Sequence, residues 1–306
     1  MSEVELYPLY ESVPEEVVNP GYFKRAAAAV MTVAGVAAMT SPSAAAEESA
    51  MSQACHAMPV YDHRGEVGAN PRIGPNENTI RSLEATAVAG GNRIETDMQV
   101  DGDGKVVDIH DPTLQRTTNG TGKVRDRSSA YIRRLHTPDG SKVPFLPDLI
   151  EFMVDHSNMY GQFEFKPYKT WTPKVLKDTV NAITDAGLED RVHFTSGSLN
   201  ILKRIRDINP NYRLEWIGFT TRPSLHKAAL AGIPQVNVTY DQGFHAYGGY
   251  KTYINAAHHQ GIDVSVRSHA NGVGDEPKTW EKEVRQRVKQ IVTNNHPKYR
   301  KWCNQQ

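Results

Sequence analysis

Arg93-Ile94-Glu95-Thr96-Asp97-Met98-Gln99-Val100 alternates between two kinds of side chain, as a β-strand with two different faces does. Ile94 and Met98 point to one side, and the carboxylates of Glu95 and Asp97 point to the other. The next four residues, Asp101-Gly102-Asp103-Gly104, predict a turn, after which residues 106–110 return as the partner of this strand. Two carboxylates therefore share one face of a strand.

Strand-like and helix-like stretches alternate along the rest of the chain. The other strand-like stretches are 58–62, 159–166, 191–195, 212–219, 234–240 and 263–266. The helix-like stretches are 79–89, 147–154, 173–186, 199–208, 225–231, 252–260 and 280–288. This alternation predicts a parallel sheet, and about eight such units favour a closed (β/α)8 TIM barrel over an open doubly wound sheet.

The N-terminal region has the three parts of a signal peptide. Lys24-Arg25 precedes the uncharged run 26–40, and Ser41-Pro42-Ser43-Ala44-Ala45-Ala46 supplies an Ala-x-Ala end, so we expect cleavage after Ala46. The apolar run is about 15 residues, shorter than the roughly 20 that span a bilayer, so a membrane anchor is the weaker alternative. We expect a secreted protein with a leader at 1–46 and one domain at 47–306, or 306 − 46 = 260 residues.

The balance of charged residues bears on the class of binding partner. Lys plus Arg and Asp plus Glu number 35 each, and this zero net charge argues against a nucleic-acid-binding surface.

The two cysteines, Cys55 and Cys303, lie near the two ends of the mature chain. In an oxidising compartment this pair predicts a disulfide, with two unrelated buried thiols as the alternative.

The candidate chemistry lies at the predicted strand ends, which form the mouth of a barrel. His63 follows the first strand, His110 ends the third, and Glu164 lies on the fourth beside Glu95 and Asp97. Three carboxylates without a cysteine predict a hard-cation site for Ca²⁺ or Mg²⁺ rather than Zn²⁺. The alternative for each residue alone is a solvated strand face or a structural histidine.

Successive motifs resemble those of the glycerophosphodiester phosphodiesterases. They are His63-Arg64-Gly65, Asn76-Glu77-Asn78-Thr79, Glu95-Thr96-Asp97, Asp108-Ile109-His110-Asp111-Pro112-Thr113-Leu114, Arg116-Thr117-Thr118-Asn119-Gly120-Thr121-Gly122, Pro144 to Leu149, and Phe163-Glu164-Phe165-Lys166. Gln290-Ile291-Val292-Thr293-Asn294 is similar to the closing strand of the family, which usually has Asp in place of Asn294. The resemblance covers nearly all of the mature chain.

The resemblance implies a (β/α)8 barrel that hydrolyses glycerophosphodiesters to glycerol 3-phosphate and an alcohol. It implies a divalent cation, Ca²⁺ or Mg²⁺, held by Glu95, Asp97 and Glu164. His63 and His110 would form the acid–base pair, and Arg64 and Lys166 would bind the phosphate. The chain departs from the family at Val266-Arg267-Ser268-His269-Ala270-Asn271, where a Trp-Thr-x-Asn stretch is common. Arg267 would either line the substrate pocket or turn away into a salt bridge.

Other functions remain as alternatives. A phospholipase D-like enzyme acting on lysophospholipids or sphingolipids would need an apolar loop, for which Phe244, Tyr247, Tyr250 and Tyr253 are the nearest candidates. A hydrolase of glycerol-phosphate polymers such as teichoic acids, a catalytically inactive binding barrel and a glycosidase are further readings. We expect a small-molecule substrate, no nucleic acid and no stable membrane insertion after signal cleavage; the sequence leaves the alcohol and the oligomeric state open.

Overall fold

The structure is a computed structural model that describes residues 44–70, 72–218, 220–240, 249–268 and 273–306. The predicted leader before residue 44 and the aromatic residues Phe244 and Tyr247 lie outside the described residues. The strands are β1 Val60–His63, β2 Arg93–Val100, β3 Val106–Asp108, β4 Tyr160–Phe165, β5 Val192–Ser196, β6 Leu214–Ile217, β7 Gln235–Thr239, β8 Asp263–Arg267 and β9 Gln290–Thr293.

Eight of these strands form a closed parallel barrel. Their order is β1-β9-β8-β7-β6-β5-β4-β2, and pairing of β1 with β2 closes the ring. The short strand β3 is antiparallel to β2 and lies outside the ring. The predicted (β/α)8 TIM barrel is therefore confirmed. The third predicted strand was too long, because β3 ends at Asp108 and His110 follows it in a loop.

Helices alternate with the barrel strands and cover the outside of the sheet. They are α1 Ala44–Ala57, α2 Ile80–Val88, α3 Ser129–Ile132, α4 Leu146–Asp155, α5 Pro173–Asp185, α6 Leu199–Ile208, α7 Arg222–Leu230, α8 Tyr250–His258, α9 Pro277–Arg285 and α10 His296–Cys303. Side-chain oxygens fix several starts: Thr79 accepts from the N–H of Ser82 at α2, and Thr172 accepts from Val175 at α5, where Pro173 occupies the first turn. In the described chain, none of these helices has the length and apolar character needed to span a bilayer.

The main hydrophobic core lies between the sheet and the helices. Ile94 and Met98 of β2 and Phe163 and Phe165 of β4 are completely buried in it. Glu95 and Asp97 alternate with the first pair, so they face the barrel interior, as the sequence pattern predicts. Tyr253 is also completely buried in this core, which argues against a membrane-contacting role for that residue.

Polar side chains fill the barrel interior at the end opposite the C-termini of the strands. The Nε2 atom of Gln290 donates to Oε1 of Gln162 at 2.9 Å and to Oε2 of Glu215 at 3.1 Å. His193 lies 3.1 Å from the same Glu215 oxygen, and burial lowers the pKa of His193 to about 4. These paired groups close the end of the barrel opposite the strand C-termini.

The two ends of the described chain are covalently joined. Cys55 of α1 and Cys303 of α10 form a disulfide that connects residues 248 positions apart, with the Cα atoms separated by 5.8 Å. The predicted pairing of the two cysteines is present in the structure. The hydroxyl of Tyr299 donates to the carbonyl of Cys55 at 2.9 Å, which adds a second link between the two helices.

The chain between β3 and α4 forms a small satellite of the barrel. Its apolar side chains make a second hydrophobic cluster, which contains Val107, Ile109, Leu114, Val124, Ile132, Leu135, Val143 and Phe145. A short 3-10 helix at Val124–Asp126 and helix α3 lie within it. This cluster supports the loop that carries His110 at the barrel mouth.

Candidate active site

Three carboxylates meet at the C-terminal end of the barrel. Glu95 and Asp97 come from β2, and Glu164 comes from the neighbouring β4, where it is in register with Asp97. One oxygen from each residue lies within 4.8 Å of the other two, and all three residues are buried. Burial and the charge of Asp97 raise the pKa of Glu95 to about 8, while Arg267 partly offsets this effect.

Lysine and arginine side chains neutralise this acidic cluster. The Nζ atom of Lys166 lies 2.7 Å from Oδ1 of Asp97 and 2.9 Å from Oε1 of Glu164. Burial alone would raise the pKa of Asp97, but Lys166, His110 and Arg64 outweigh burial and hold it well below its ordinary value. Asp97 is therefore ionised at neutral pH.

Arg267 also faces the acidic cluster. Its Nη2 atom lies 3.5 Å from Oε1 of Glu95 and 3.5 Å from Oε2 of Glu164. Because β8 and β2 are not neighbours in the sheet, this contact crosses the barrel interior. Arg267 thus forms ion pairs with two of the three carboxylates, and its predicted role in the substrate pocket stays a prediction. His269 to Asn271, the rest of the divergent stretch, lie outside the described residues.

The carboxylates fit a hard divalent cation. The donor set consists entirely of oxygens, which Ca²⁺ and Mg²⁺ prefer. Oε2 of Glu164 is buried and lies 3.5 Å from Nη2 of Arg267, but it forms no hydrogen bond with any residue that the structure describes, as expected of an atom that could bind a cation. Lys166 and Arg267 already form ion pairs with these carboxylates. A divalent cation would therefore bind beside two positively charged side chains.

Arg64 is held by a strained turn directly after β1. Arg64 and Gly65 have φ angles of 64° and 76°, and the left-handed conformation is unusual for an arginine. The turn brings the Arg64 backbone N–H to 3.2 Å from Oε2 of Glu95. Its side chain lies 2.9 Å from Glu77 and 3.3 Å from Asp97, so the guanidinium is fixed at the edge of the acidic cluster.

His63 is oriented by the residue that follows the last strand. Its Nδ1 atom lies 2.8 Å from Oδ1 of Asn294, and its Nε2 atom is 3.9 Å from Oε2 of Glu95. Burial, together with the charges of Arg64 and Arg267, lowers the pKa of His63 well below its ordinary value. The imidazole is therefore neutral at pH 7.

His110 has a different partner. Its Nδ1 atom lies 2.8 Å from Oδ1 of Asp111, and Arg116 holds that carboxylate at 2.6 Å through Nε. Arg116 also binds Glu77, which connects this group to Arg64 on the other side of the mouth. The Nε2 atom of Gln99 donates to the carbonyl oxygens around His110 and fixes the loop backbone.

The geometry agrees with sequence comparison. Residues 63–295 match the model of the glycerophosphoryl diester phosphodiesterase family, which is most of the chain. The chain belongs to the glycerophosphoryl diester phosphodiesterase family. A glycerophosphodiester phosphodiesterase of Caldanaerobacter subterraneus subsp. tengcongensis is 29% identical over 162 residues, which are 51% of this chain and 64% of that protein. One of Bacillus subtilis is 35% identical over 32% of this chain and 37% of its own length.

Solved structures of this family share the fold. A glycerophosphodiester phosphodiesterase from Parabacteroides distasonis has a TM-score of 0.66 at 19% identity, and covers 81% of this chain and 97% of its own. A phosphodiesterase from Oleispira antarctica, in complex with the product sn-glycerol-3-phosphate, has a TM-score of 0.66 at 19% identity, over 82% of this chain and 99% of its own. The segments matched in the two sequence relatives span less than two thirds of those proteins' own lengths.

The structure brings the predicted site residues to one end of the barrel and adds others. Glu77, Asp111 and Arg116 lie in the quoted motifs, but no sequence pattern predicts their contacts. Asn294 is recognisable from the sequence only as a departure from the family pattern. Asp275 lies in a loop before α9, and no motif or spacing marks it as a partner of Asn294.

Proposed function

We propose that this member of the glycerophosphoryl diester phosphodiesterase family hydrolyses glycerophosphodiesters to glycerol 3-phosphate and an alcohol. One observation carries the proposal: three buried carboxylates share the barrel mouth with a neutral histidine, His63, and with the cationic groups of Arg64 and Lys166. This combination suits an anionic substrate whose reaction centre gains negative charge. The product complex of the Oleispira antarctica relative supports the same class of product.

A divalent cation, Ca²⁺ or Mg²⁺, would be held by Glu95, Asp97 and Glu164. When bound, it would supply electrostatic stabilisation of the charge that develops on the phosphate oxygens. Lys166 would then share Asp97 and Glu164 with the cation and orient both carboxylates.

The two histidines would divide the proton transfers according to their partners. His63 is neutral and presents Nε2 towards the acidic cluster, so it would accept the proton of the attacking oxygen. His110 lies beside the carboxylate of Asp111, which would stabilise an imidazolium, so it would donate the proton to the leaving oxygen.

Arg64 and Lys166 would bind the phosphate. Glu77 accepts one N–H of the Arg64 guanidinium, and Asp97 lies 3.3 Å from Nε without a hydrogen bond, so the remaining N–H groups could bind oxygens of a phosphodiester. The left-handed turn at Arg64 fixes the direction of this side chain before substrate arrives, which lowers the entropic cost of binding.

We also propose that the protein is exported after cleavage of the predicted leader. The disulfide between Cys55 and Cys303 supports this, because such bridges persist mainly in oxidising compartments.

A small phosphodiester as the substrate agrees with the zero net charge of the chain, which offers no general attraction for a nucleic acid.

The test is release of glycerol 3-phosphate and choline from glycerophosphocholine. We expect activity to be abolished by EDTA and restored by Ca²⁺ or Mg²⁺. Parallel assays with lysophosphatidylcholine and a glycerol-phosphate polymer distinguish the two alternative hydrolases. Full turnover after exhaustive chelation would rule out the cation, and no glycerol 3-phosphate from any free diester would rule out the proposed reaction.

A further inference from the structure

Asn294, which orients His63, is itself held by a buried carboxylate. The backbone N–H of Asn294 lies 3.0 Å from Oδ2 of Asp275, and its side-chain Nδ2 lies 2.9 Å from the same oxygen. The other oxygen, Oδ1, accepts hydrogen bonds from the hydroxyls of Ser268 and Thr293. Asp275 is 6% exposed, so four donors converge on an almost fully desolvated carboxylate.

These contacts decide which way the amide of Asn294 is turned. Oδ2 of Asp275 accepts the backbone N–H of Asn294 and is therefore an acceptor, so the side-chain atom of Asn294 beside the same oxygen must be the NH₂ group. Oδ1 of Asn294 then lies 2.8 Å from Nδ1 of His63, and because two acceptors would not approach so closely, the imidazole carries its proton on Nδ1. In the neutral ring Nε2 is therefore unprotonated, on the side of the acidic cluster.

We propose that Asp275 is a positioning residue for phosphodiester hydrolysis that acts on His63 through Asn294. It fixes the amide of Asn294, and the amide fixes the tautomer in which Nε2 of His63 can accept a proton. Without Asp275 the amide could rotate by half a turn and present its NH₂ group to Nδ1. That arrangement favours the tautomer with the proton on Nε2, which cannot accept another.

This inference rests on the proposed function for its catalytic meaning, but the tautomer can be measured without any substrate. In protein labelled with ¹⁵N at histidine, the shifts of the two ring nitrogens differ between protonated and unprotonated forms, and His63→Gln identifies the signals of His63. We expect wild type to carry the proton on Nδ1. Asp275→Leu should populate the other tautomer.

Two substitutions of Asp275 separate its acceptor role from its volume. Asp275→Leu removes both oxygens, and we expect kcat to fall by about 10- to 100-fold with KM nearly unchanged, as for other residues that orient a reacting group. Asp275→Asn should rescue most of this loss and keep the wild-type tautomer. Its remaining oxygen can face Asn294, while the hydroxyls of Ser268 and Thr293 can turn to accept from its NH₂ group.

A smaller substitution covers the case in which Asp275→Leu does not fold. Asp275→Ala removes the same two oxygens without adding bulk beside Asn294. We expect it to shift the tautomer of His63 in the same direction as Asp275→Leu. The matched control is Glu283→Gln, a buried carboxyl on α9, which should change neither kcat nor the tautomer.

Each outcome decides the proposal. A wild-type tautomer in Asp275→Leu or, where that variant does not fold, in Asp275→Ala would reduce Asp275 to a structural role, whether kcat is kept or lost. If the tautomer shifts as expected while wild type cleaves no glycerophosphodiester, the positioning is correct and the proposed function is wrong.

Discussion

Arg267 and Glu95 lie 172 residues apart in the sequence, yet Nη2 of the arginine is 3.5 Å from Oε1 of the glutamate across the barrel. The arginine belongs to the stretch 266–271, in which the sequence departs from the pattern expected for the family. It places a fixed positive charge beside the proposed cation ligands. The site therefore offsets part of its own negative charge before any cation binds.

This arrangement predicts that Arg267 weakens cation binding. Two like charges a few ångströms apart, at an effective dielectric near 20, repel by a few kcal/mol. We expect Arg267→Met to lower the Kd for Ca²⁺ or Mg²⁺ at least about tenfold. Titration calorimetry measures this without substrate. Arg285→Met, which removes an exposed arginine on α9, controls for net charge and should leave the Kd unchanged. An equal Kd for wild type and Arg267→Met would contradict the prediction.

Substrate choice should change with the same residue. Arg267 would repel a cationic headgroup and favour a neutral or anionic one. We expect Arg267→Trp to raise kcat/KM for glycerophosphocholine relative to glycerophosphoglycerol or glycerophosphoinositol. Steady-state kinetics with the three diesters measure the ratios. An unchanged ratio would show that the headgroup binds away from Arg267, even though the guanidinium faces the acidic cluster.

The two histidines should be essential for turnover but not for folding. We expect His63→Ala and His110→Ala each to lower kcat by about 10²–10⁴-fold, the usual contribution of a positioned acid or base. Both residues lie at the barrel mouth, so thermal unfolding should change little. His156→Ala is the matched control, because His156 pairs with Glu84 on the outside of the barrel. Near wild-type turnover in either mouth variant would make that histidine structural.

Local pattern was sufficient for the strands and helices around the site. Glu95 and Asp97 alternate with Ile94 and Met98, and this period of two placed both carboxylates on the interior face. Helix α6 has the bounds that its periodicity predicts, and α5 ends one residue early. These elements depend mainly on residues close in sequence, so the sequence alone specifies them.

Contacts between distant residues could not be predicted in the same way. Gln290 and Gln162 are 128 positions apart, and nothing in either strand indicates that they meet inside the barrel. The link between Asp275 and Asn294 depends on how the loop before α9 folds back over β9. Such partners are fixed by closure of the barrel, which brings together side chains that no local pattern relates.

Glu66 should make stability fall as the pH rises. This side chain follows the Arg64 turn, is half-buried, and its Oε2 atom forms no hydrogen bond with any residue in the described part of the chain. Burial and the nearby charge of Asp62 raise its pKa from 4.5 to about 7, partly offset by His296. Below pH 4.5 the carboxyl is protonated in both the folded and the unfolded state. Between pH 4.5 and 7 the unfolded state has lost the proton while the folded state still holds it. The free energy of unfolding therefore falls progressively as the pH rises through this range.

Glu66→Gln removes this titration and should therefore stabilise the protein more at pH 8 than at pH 5. The rise in the pKa of Glu66 corresponds to a loss of at most about 3 kcal/mol in the free energy of unfolding at high pH. Solvent screening of this half-exposed group reduces the loss to about 1–2 kcal/mol. We expect Tm to rise by roughly 2–4 °C for each kcal/mol at pH 8, with little change at pH 5. The control is Glu151→Gln, at an exposed position on α4, which should show no such dependence. Scanning fluorimetry at both pH values measures the difference, and a Tm increment that is the same at pH 5 and pH 8 would mean that the Glu66 carboxyl does not titrate in this range.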